Sequence, residues 1–458
     1  MVSQKIFSLA HQVSEMGIPF DRDAAVLAAA STDFGHLIQG QSQLVVQPRQ
    51  GEDVVALMQK ANRYQLPITL RGKGCSQNGQ SISPRGMTLN TSRLDDIRYS
   101  KALPQQVTCG AGTTWRQLVA MLKPHQCLPC MMPLNLNLTI GGTLSAGGFG
   151  ANSHRYGPAI ANVIALEVVT GAGERLWCTP DKHPDLYAAV LGGQGRCAVI
   201  LSATLATRPI KPQIRTYFLV YEDLETWIRD QHQLCDRIDY LEGFCSANMQ
   251  GLQKTPTGRR PLVQWLWGLH VSVEFDPATP PQQEQVLAGL NYHKLLYIED
   301  DDTADYAARY DLRFQSMQAS GAWQQLHPWF DCLLPVSTAT EIIPQILEIL
   351  PPCFGDGHRV LWVAERPTPR FLMKPEQAFL FAVLPTGIPL SLKTQALTAL
   401  EQAHQLVIKA GGKRYLSGWL GEITPDFWSQ HFGPNWPAWQ QAKATFDPNH
   451  VLCSKLFP

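Results

Sequence analysis

The sequence predicts an α+β protein built from two domains. Its 458 residues exceed the length at which a single hydrophobic core usually stops growing, which favours more than one domain. Short strand and helix patterns alternate as far as Lys211, whereas longer helical windows mixed with strands follow from there to about Gly411. We therefore expect boundaries that divide the chain into 1–210, 211–410 and 411–458.

Composition favours a globular protein that acts on a small organic molecule. Hydrophobic residues make up 45% of the chain and charged residues 17%, a balance that can fill large cores and is unlike that of a disordered protein. The 38 basic and 38 acidic residues cancel, so no overall charge attracts nucleic acid or an anionic membrane. No window approaches the 18 uninterrupted apolar residues of a membrane span.

Cysteine usage and the N-terminus favour a cytoplasmic location. The 11 cysteines are an odd number, and the first residues show neither a sustained apolar core nor a small-residue cleavage site. A disulfide framework and secretion are therefore both unexpected. Cys127 and Cys130 form a lone CxxC without a second cysteine pair, so we interpret them as structural and expect no metal site.

The first region begins with a β-α-β unit that leads into a glycine-rich loop. A strand through Gly110 and Gly112 then enters a helix that Thr113 and Thr114 can cap. Apolar spacing predicts the β-α-β unit as a strand at 44–50, a helix at 52–65 and a strand at 66–71. Apolar spacing and glycine turns also predict strand–turn–strand over 162–178 and helix–loop–strand over 183–205.

A second glycine-rich segment over 138–158 is interpreted as a ligand loop. Thr139, Ile140, Thr143 and Leu144 lie within it at strand spacing, which is untypical of a merely flexible turn. Bare backbone N–H groups in such a loop can form a concavity for phosphate oxygens. The dinucleotide fingerprint G-x-G with its acidic partner is absent, so an NAD site is not predicted. The glycines are Gly141, Gly142, Gly147, Gly148 and Gly150.

The region after Lys211 is predicted to be a separate α+β domain. Its periodicity predicts helices over 224–238, 305–317 and 339–350, and strands over 264–275 and 378–385. Proline-rich stretches at 255–261 and 276–283 are predicted to be exposed loops.

Residues 71–81, RGKGCSQNGQS, resemble the flavin-attachment loop of cytokinin dehydrogenases, a branch of the vanillyl-alcohol oxidase and p-cresol methylhydroxylase (PCMH-type) FAD enzymes. That loop reads approximately R-G-x-G-H-S-x-x-G-Q. Similar segments extend the resemblance from about Val45 to Leu452. Four further family motifs follow in order: GGTLS at 141–145, RYGP at 155–158, VVTGAGE at 168–174 and LGGQG at 191–195.

The resemblance implies a PCMH-type fold in which two α/β subdomains hold FAD beneath an α+β substrate-binding cap. Residues 1–210 and 411–458 would form the FAD-binding domain, with 211–410 as the cap over the isoalloxazine ring. The cofactor contacts that it implies are Arg71, Gly72, Lys73, Gly74, Cys75, Ser76, Gly79, Gln80, Thr139, Gly141, Gly142, Thr143, Ser145, Gly148, Val199 and Ile200.

Two departures from the family pattern bear on the chemistry. Cys75 replaces the histidine that carries the covalent flavin bond, so we expect noncovalent FAD, with a cysteinyl thioether as the alternative. Leu134 stands where the family has the aspartate that accepts the substrate proton, and leucine cannot accept one.

His270 and Asp331 are the candidate replacement bases, and His154 is a further histidine that could accept a proton. Each also has a structural interpretation, as a hydrogen-bonded histidine or a solvent-facing cap. Leu134, Trp329, Trp362 and Leu416 are predicted to form the walls of the substrate pocket, with ordinary core packing as the alternative.

The sequence therefore predicts an FAD-dependent oxidoreductase that moves a hydride from a small planar amine or alcohol to flavin N5. The expected electron acceptor is O2 or a quinone-like compound. Two alternatives remain open: a cytokinin dehydrogenase with a substitute base, and a flavin-binding protein that is noncatalytic or redox-neutral.

Overall fold

The computed structural model describes residues 2–355 and 357–457, whose strands form three β-sheets. The first sheet has the strand order β1-β2-β4-β3, with β2, β4 and β3 parallel and β1 antiparallel to β2. Its strands are β1 (Phe20–Asp21), β2 (Ser42–Val46), β3 (Ile68–Arg71) and β4 (Gly86–Asn90). The helices of this part are α1 (Val2–Glu15), α2 (Ala24–Ala30) and α3 (Gly51–Tyr64).

The predicted β-α-β unit is confirmed as β2, α3 and β3. Helix α3 forms here because Val54, Leu57, Met58 and Ala61 recur at helical spacing, and all four side chains are fully buried. They pack in the same core as the strands of the first sheet. This packing fixes the end of β3, where the first glycine-rich loop begins.

The C-terminal residues complete the first sheet beside β3. The Ile68 N–H donates to the Val451 carbonyl at 2.7 Å, and the Cys453 N–H donates to the Ile68 carbonyl at 2.9 Å. The Thr69 hydroxyl also donates to the Cys453 carbonyl at 2.7 Å. Asp447 is fully buried, and its carboxylate accepts hydrogen bonds from the N–H groups of Val451 and Leu452. The C-terminal segment thus lies against β3 of the first sheet.

The second sheet is antiparallel and has the order β5-β6-β10-β8-β9, with β7 paired to the end of β10. Thr114 caps α4 through a capping box with Gln117, which confirms one of the two predicted caps. The strands are β5 (Ile97–Tyr99), β6 (Gln106–Gly110), β7 (Cys127–Pro129), β8 (Val163–Thr170), β9 (Arg175–Cys178) and β10 (Ala198–Pro209). The helices are α4 (Trp115–Leu122), α5 (Ile140–Ala146), α6 (Ser153–Tyr156) and α7 (Pro184–Val190).

The second glycine-rich segment is helical where strand spacing was predicted, so that prediction is wrong. Thr139 is the N-cap of α5, and its hydroxyl accepts from the Gly142 N–H at 3.3 Å. Ile140, Thr143 and Leu144 are buried on one side of this helix, as residues three and four apart must be. The adjacent glycines lower helix propensity, so the helical spacing of the buried residues was not evident from the sequence.

The third sheet has the order β14-β11-β13-β12-β16-β17-β15-β18, and all its neighbouring strands are antiparallel. Its strands are β11 (Gln213–Tyr221), β12 (Tyr240–Thr255), β13 (Gly258–Phe275), β14 (Lys294–Asp302), β15 (Phe330–Pro335), β16 (His358–Val363), β17 (Ala378–Val383) and β18 (Lys413–Arg414). The accompanying helices are α8 (Leu224–Leu234), α9 (Gln283–Val286), α10 (Thr303–Tyr306), α11 (Asp311–Ala319), α12 (Val336–Ile349) and α13 (Lys393–Lys409).

The two faces of the third sheet have different partners. Helices α8, α12 and α13 cover one face and share a core with Phe330, Phe379 and Phe381. On the other face, Leu361 and Leu380 join the core of the second sheet. The third sheet therefore packs directly against the FAD-binding half that the resemblance implies.

Two predictions for this region need correction. The expected loop at 255–261 is the end of a long hairpin, because β12 and β13 stay paired up to Thr255 and Gly258. The expected helix over 305–317 is interrupted between α10 and α11. The predicted helices near 224 and 339 and the strands near 264 and 378 are confirmed as α8, α12, β13 and β17.

Ion pairs join the third sheet's domain to the second sheet. Arg116 on α4 lies 2.6 Å from Asp311 on α11, and Arg155 lies 2.9 Å from Asp239.

The C-terminal part adds α14 (Phe427–Phe432) and α15 (Trp436–Phe446). Short 3-10 helices occur at Thr91–Arg93, Lys123–His125, Ala159–Asn162, Ala322–Gln324, Pro352–Phe354, Leu390–Leu392 and Gly433–Asn435. Within residues 2–355 and 357–457, no helix has the length and apolar character needed to cross a bilayer.

Candidate functional site

A cavity of about 310 Å³ lies between the first two sheets and the third. One wall comes from the loop after β3, from α5 and from the start of β10, and the facing wall comes from α11, β15, β16 and β17. The predicted residues that line it are Arg71, Gly72, Lys73, Gly74, Cys75, Ser76, Gln80, Leu134, Thr139, Gly141, Gly142, Thr143, Ser145, Gly148, Val199, Ile200, Trp329, Asp331 and Leu416.

The loop after β3 offers backbone donors to the cavity. Phe34 and Gly35 donate their N–H groups to the carbonyls of Gly74 and Ser76 at 2.9 and 3.0 Å, which anchors the loop through its acceptors. Within the described part of the chain, the N–H groups of residues 74–77 have no acceptor. Gly74 has a φ of 70°, and successive N–H groups around such a residue form an anion-binding concavity.

Buried Asp33 supports this loop from behind. Its carboxylate accepts from the Ser76 hydroxyl and the Gly79 N–H, each at 3.0 Å. Burial raises the pKa of Asp33 to about 6, although these hydrogen bonds oppose the shift. Gly79 does not line the cavity and supports the loop through its hydrogen bond to Asp33. Its assignment as a direct cofactor contact stays a prediction.

Arg71 and Gln80 brace the loop against the rest of the chain. The Arg71 guanidinium donates to the carbonyls of Ala29 and Ser81 at 3.1 and 3.3 Å. The Gln80 amide donates to three carbonyls, at residues 416–418, over 2.8 to 3.2 Å. Gln80 thereby holds Leu416 at the cavity wall.

Two glycines leave space where the loop and α5 approach each other. A Cβ atom on Gly72 would lie 2.3 Å from the Thr139 hydroxyl, so only glycine fits there. Gly142 is exposed to the cavity and its Cβ would meet only the Thr139 hydroxyl, at 3.0 Å. The N–H groups of Ile140 and Gly141 donate to the carbonyls of Thr113 and Ala111, so they are already occupied. Among the described residues, the N–H groups of 74–77, which have no acceptor, lie in the first glycine-rich loop. The sequence had instead predicted the phosphate site in the second glycine-rich segment.

Gln194 is a cavity residue that sequence reasoning missed. It adopts a φ of 56°, which is uncommon for a residue other than glycine. Its side-chain Nε2 is buried and has no hydrogen-bond partner among the described residues. A buried donor of this kind at a cavity wall is available to a ligand. Its place between the glycines of LGGQG is the signal that could have indicated it.

Cys75 lies half-buried at the cavity wall and is a free thiol. Burial raises the pKa of this thiol to about 11, although Arg71 and Lys73 lower it in part. The thiolate is the nucleophilic form of cysteine, so Cys75 is mostly unreactive at neutral pH.

Asp331 presents a carboxyl group to the cavity from the third sheet. It lies on β15, where Phe330 and Cys332 face the helix-covered core and Asp331 faces the other way. The Ser417 hydroxyl contacts Oδ2 at 3.4 Å, and Oδ1 has no partner within the described residues. Burial raises the pKa of Asp331 to about 7, although nearby Arg414 lowers it in part. Both protonation states are therefore populated near neutral pH.

Aromatic and apolar side chains line the same cavity as this carboxyl group. Phe34 packs against Trp323 and Trp329 with ring centroids 4.8 and 4.9 Å apart, and all three line the cavity. Trp329 is fixed by its indole N–H, which donates to the Pro385 carbonyl at 3.0 Å. Leu134 lies on the wall between this cavity and a water-sized cavity that Arg309 also lines. Flat walls of this kind suit a planar ligand.

Trp362, predicted as a pocket wall, and His270, a candidate base, do not line this cavity. Neither does His154, the further histidine that could accept a proton. Trp362 packs edge-on against Phe379 at 4.9 Å on the helix-covered face, whereas its neighbour Leu361 faces the cavity. His270 lies among aromatic rings of β11 to β14, and burial lowers its pKa to about 4. His154 is buried with its ring nitrogens 3.0 and 3.3 Å from backbone carbonyls, which matches its structural interpretation.

A buried carboxylate organises the arginines next to the cavity. Glu242, which is fully buried, lies 3.0 Å from Arg309 and 3.4 Å from Arg359. Although burial disfavours its charged form, these guanidinium groups lower the pKa of Glu242 to about 2. Tyr310 also donates its hydroxyl to Glu242. In the described residues, no group of acidic, histidine or cysteine side chains could hold a metal ion.

The residues of the first wall fit a dinucleotide flavin. The free N–H groups of 74–77 suit a diphosphate, the bare faces of Gly72 and Gly142 allow close approach, and Gln194 supplies an unpaired buried donor. Together with a facing wall that carries a titratable carboxyl group, this arrangement defines a flavin-dependent oxidoreductase.

Comparison with known proteins identifies the family. A sequence model described as "FAD binding domain" matches residues 42–179, and one described as "Cytokinin dehydrogenase 1, FAD and cytokinin binding" matches residues 212–455. The second match covers more than half of the chain. The chain belongs to the cytokinin dehydrogenase family and is an FAD-dependent oxidoreductase with the PCMH-type two-domain fold.

Individual relatives cover nearly the whole chain at low identity. An "Uncharacterized oxidoreductase ORF5 in fasciation locus" of Rhodococcoides fascians is 28% identical, over 94% of this chain and 96% of the relative. Cytokinin dehydrogenase 1 of Arabidopsis thaliana is 26% identical, over 92% of this chain and 79% of the relative. Cytokinin dehydrogenase 6 of Oryza sativa subsp. japonica is also 26% identical, over 97% and 91%.

Proposed function

We propose that this protein oxidises a small planar amine or alcohol and that Asp331 accepts the substrate proton. Bound FAD supplies the two-electron acceptor for the hydride. The observation that carries the proposal is the Asp331 carboxyl group, which faces an aromatic cavity with one oxygen unpaired within the described residues. A pKa of about 7 matches what a general base needs at neutral pH.

Asp331 and Leu134 together account for a remodelled active site. The resemblance puts the family's proton acceptor at position 134, and leucine there can only contribute an apolar wall. Asp331 supplies a carboxyl group to the same cavity from the third sheet. The proton acceptor has thereby moved from the FAD-binding half to the cap, and a substrate must place its N–H or O–H toward β15.

A second candidate is a cytokinin dehydrogenase that uses Asp331 as a substitute base. The family model and the printed names of two relatives favour it. The two candidates differ in substrate and share the residue that takes the proton.

Anaerobic bleaching of the flavin tests the proposal. The purified yellow protein is mixed without oxygen with planar amines, planar alcohols and isopentenyladenine, and the flavin absorbance is followed. We expect at least one amine or alcohol to bleach the flavin, and O2 or a quinone to restore the colour. Rapid bleaching by isopentenyladenine would select the second candidate. If dithionite bleaches the flavin and no organic compound does, the protein is a noncatalytic or redox-neutral binder.

We expect the FAD to be released intact when the protein is denatured. Cys75 is protonated at neutral pH because its pKa is raised, so a thioether to the flavin is disfavoured. Acid precipitation should leave all the yellow colour in the supernatant, and the intact mass should equal that of the polypeptide. A mass increase equal to FAD in the wild type, absent from Cys75→Ser, would establish the cysteinyl bond instead.

A further inference from the structure

The outer strand of the third sheet, β14, is incompletely covered on both faces. It stands at the end of the strand order, and within the described residues it pairs only with β11. Leu296, Tyr297 and Ile298 follow one another along it, and their side chains are 47%, 40% and 41% exposed. Successive side chains on a strand point to opposite faces, so apolar surface is left open on both sides. Three adjacent exposed apolar residues are untypical of a solvated edge strand.

The free edge of β14 also offers backbone groups for pairing. An edge strand presents a row of N–H and C=O groups to any strand that approaches it, and proteins usually block such edges with charges or bulges. On β14, Tyr297 lies opposite Phe218 and Leu295 lies opposite Leu219, which leaves Leu296 as the extra residue of a bulge. Residues 295–298 carry no charge, so the middle of the edge remains open.

Side-chain contacts hold the middle of β14 in place. The Tyr297 ring packs edge-on against Phe218 with ring centroids 5.1 Å apart, and its hydroxyl oxygen lies 3.3 Å from His270 Nε2. These contacts tie β14 to β11 and β13. A strand that is already fixed in an extended conformation loses little conformational freedom when another strand pairs with it.

The charges of β14 are divided between its two ends. Lys294 stands at the start, and the acidic run EDDD occupies 299–302 at the end. Asp300 pairs with Arg215 of its own chain at 2.7 Å. Within the described part of the chain, neither Lys294 nor Glu299 takes part in an ion pair. Both of these charges are exposed and can meet a partner from outside.

Antiparallel pairing of two β14 strands brings these opposite charges together. If the pairing is centred on Tyr297 and the bulge counts as one position, Lys294 of each copy lies opposite Glu299 of the other. The two side chains are on the same face, because their partners on β11, Val220 and Thr216, are four positions apart. The charge pattern of β14 is therefore complementary to itself in the antiparallel direction.

The same register also matches the apolar residues. Ile298 of one copy lies opposite the bulge that Leu295 and Leu296 form in the other, and this contact occurs twice. Parallel pairing would instead bring the two acidic runs side by side, and like charges that face each other destabilise a strand pair. Both kinds of side chain thus favour the antiparallel arrangement.

We propose that two copies of this chain form a symmetric dimer through antiparallel pairing of their β14 strands. A twofold axis beside Tyr297 relates the copies, so the same surface serves on both sides and the assembly closes at two chains. The third sheets of the two copies join into one continuous sheet. The exposed side chains of 296–298 gain cross-strand neighbours, which accounts for their apolar character.

Sedimentation equilibrium of the FAD-loaded full chain tests the proposal. We expect a monomer–dimer equilibrium with a Kd of about 1 to 100 µM, because an interface built on a single strand pair is small. A mass of one chain at about 300 µM would overturn the proposal and leave this edge to another partner or to solvent. Growth beyond two chains would also overturn it, because twofold pairing of one edge leaves no second edge of the same kind.

A charged residue at the centre of the edge locates the interface. Ile298→Lys should weaken the dimer by at least about tenfold, because it places an unpaired charge against apolar residues of the second copy. Leu390→Lys makes the same change at a leucine that is 73% exposed on the 3-10 helix Leu390–Leu392, and it should leave the dimer unchanged. Equal dimerisation of the wild type and Ile298→Lys would show that the copies meet elsewhere. Flavin content and circular dichroism confirm that both variants fold.

Charge exchange tests the antiparallel register. Lys294→Glu and Glu299→Lys should each weaken the dimer by about fivefold to tenfold, because like charges then face each other twice. The double variant with both changes should return to within about threefold of the wild type. An equimolar mixture of the two single variants should form mixed dimers, since the unlike chains regain both opposite-charge pairs. Recovery in neither experiment would contradict pairing through β14.

Discussion

Asp331→Asn is expected to slow anaerobic flavin bleaching by about a hundredfold to ten-thousandfold, the range that a positioned general base contributes. Asparagine keeps the size of the side chain and cannot accept the proton. In the wild type, the bleaching rate should rise as pH increases through about 7, because the carboxyl group must ionise before it can accept a proton. The variant should lack this rise. Stopped-flow absorbance across a pH series measures both effects.

Two controls make this result specific. The flavin content of Asp331→Asn should equal that of the wild type, because the diphosphate donors lie on the facing wall. Ser417→Ala removes the weak 3.4 Å contact to Asp331 and keeps the carboxyl group, so its rate should fall far less. An unchanged rate and pH profile in Asp331→Asn would exclude Asp331 as the base.

Leu134→Asp is expected to accelerate bleaching by isopentenyladenine by about a hundredfold to ten-thousandfold. The new carboxylate would stand where the resemblance puts the family's proton acceptor, at the wall of the cavity. Arg309 lines the adjoining small cavity and would favour the ionised, proton-accepting form. Stopped-flow bleaching of both proteins by the same compound gives the comparison.

Leu134→Asn serves as the matched control for this gain. Asparagine has nearly the shape of aspartate, so it reproduces any change in packing without supplying a base. We expect it to bleach no faster than the wild type. Equal acceleration by Asp and Asn would show that space at position 134 matters and proton transfer does not. Efficient wild-type turnover of isopentenyladenine would show that this compound needs no base at position 134.

The sequence predicted the first wall well because the determinants there are local. The loop at 71–81 follows directly from β3, and Thr114 and Gln117 sit three residues apart in a capping box. The region around Thr139 was harder, because its glycines weakened the helical period and suggested a strand. Gln194 was not predicted as a site residue, because its left-handed backbone and its buried Nε2 without a hydrogen-bond partner among the described residues are evident only in the structure.

The facing wall depended on long-range packing, which spacing in a single sequence does not reveal. Arg359 and Trp362 lie three residues apart on β16, yet strand alternation directs Arg359 to the cavity and Trp362 to the helix-covered core. Arg313 lies on α11, in a segment that was predicted to be one helix and that divides into α10 and α11. Glu242 meets Arg359 only because β12 lies beside β16, and Arg309 contacts it from the turn between α10 and α11.

The contact between β3 and the C-terminal residues sets the order of events during synthesis. Thr69 and Cys453 are 384 positions apart, and ribosomes add roughly 5 to 20 residues per second, so about 20 to 80 s separate their appearance. The edge of the first sheet stays unpaired throughout that interval. Because the loop that offers diphosphate donors follows β3 directly, this loop gains its support from residues 451–453 only once that segment has been made. We therefore expect tight FAD binding to require the segment around Cys453.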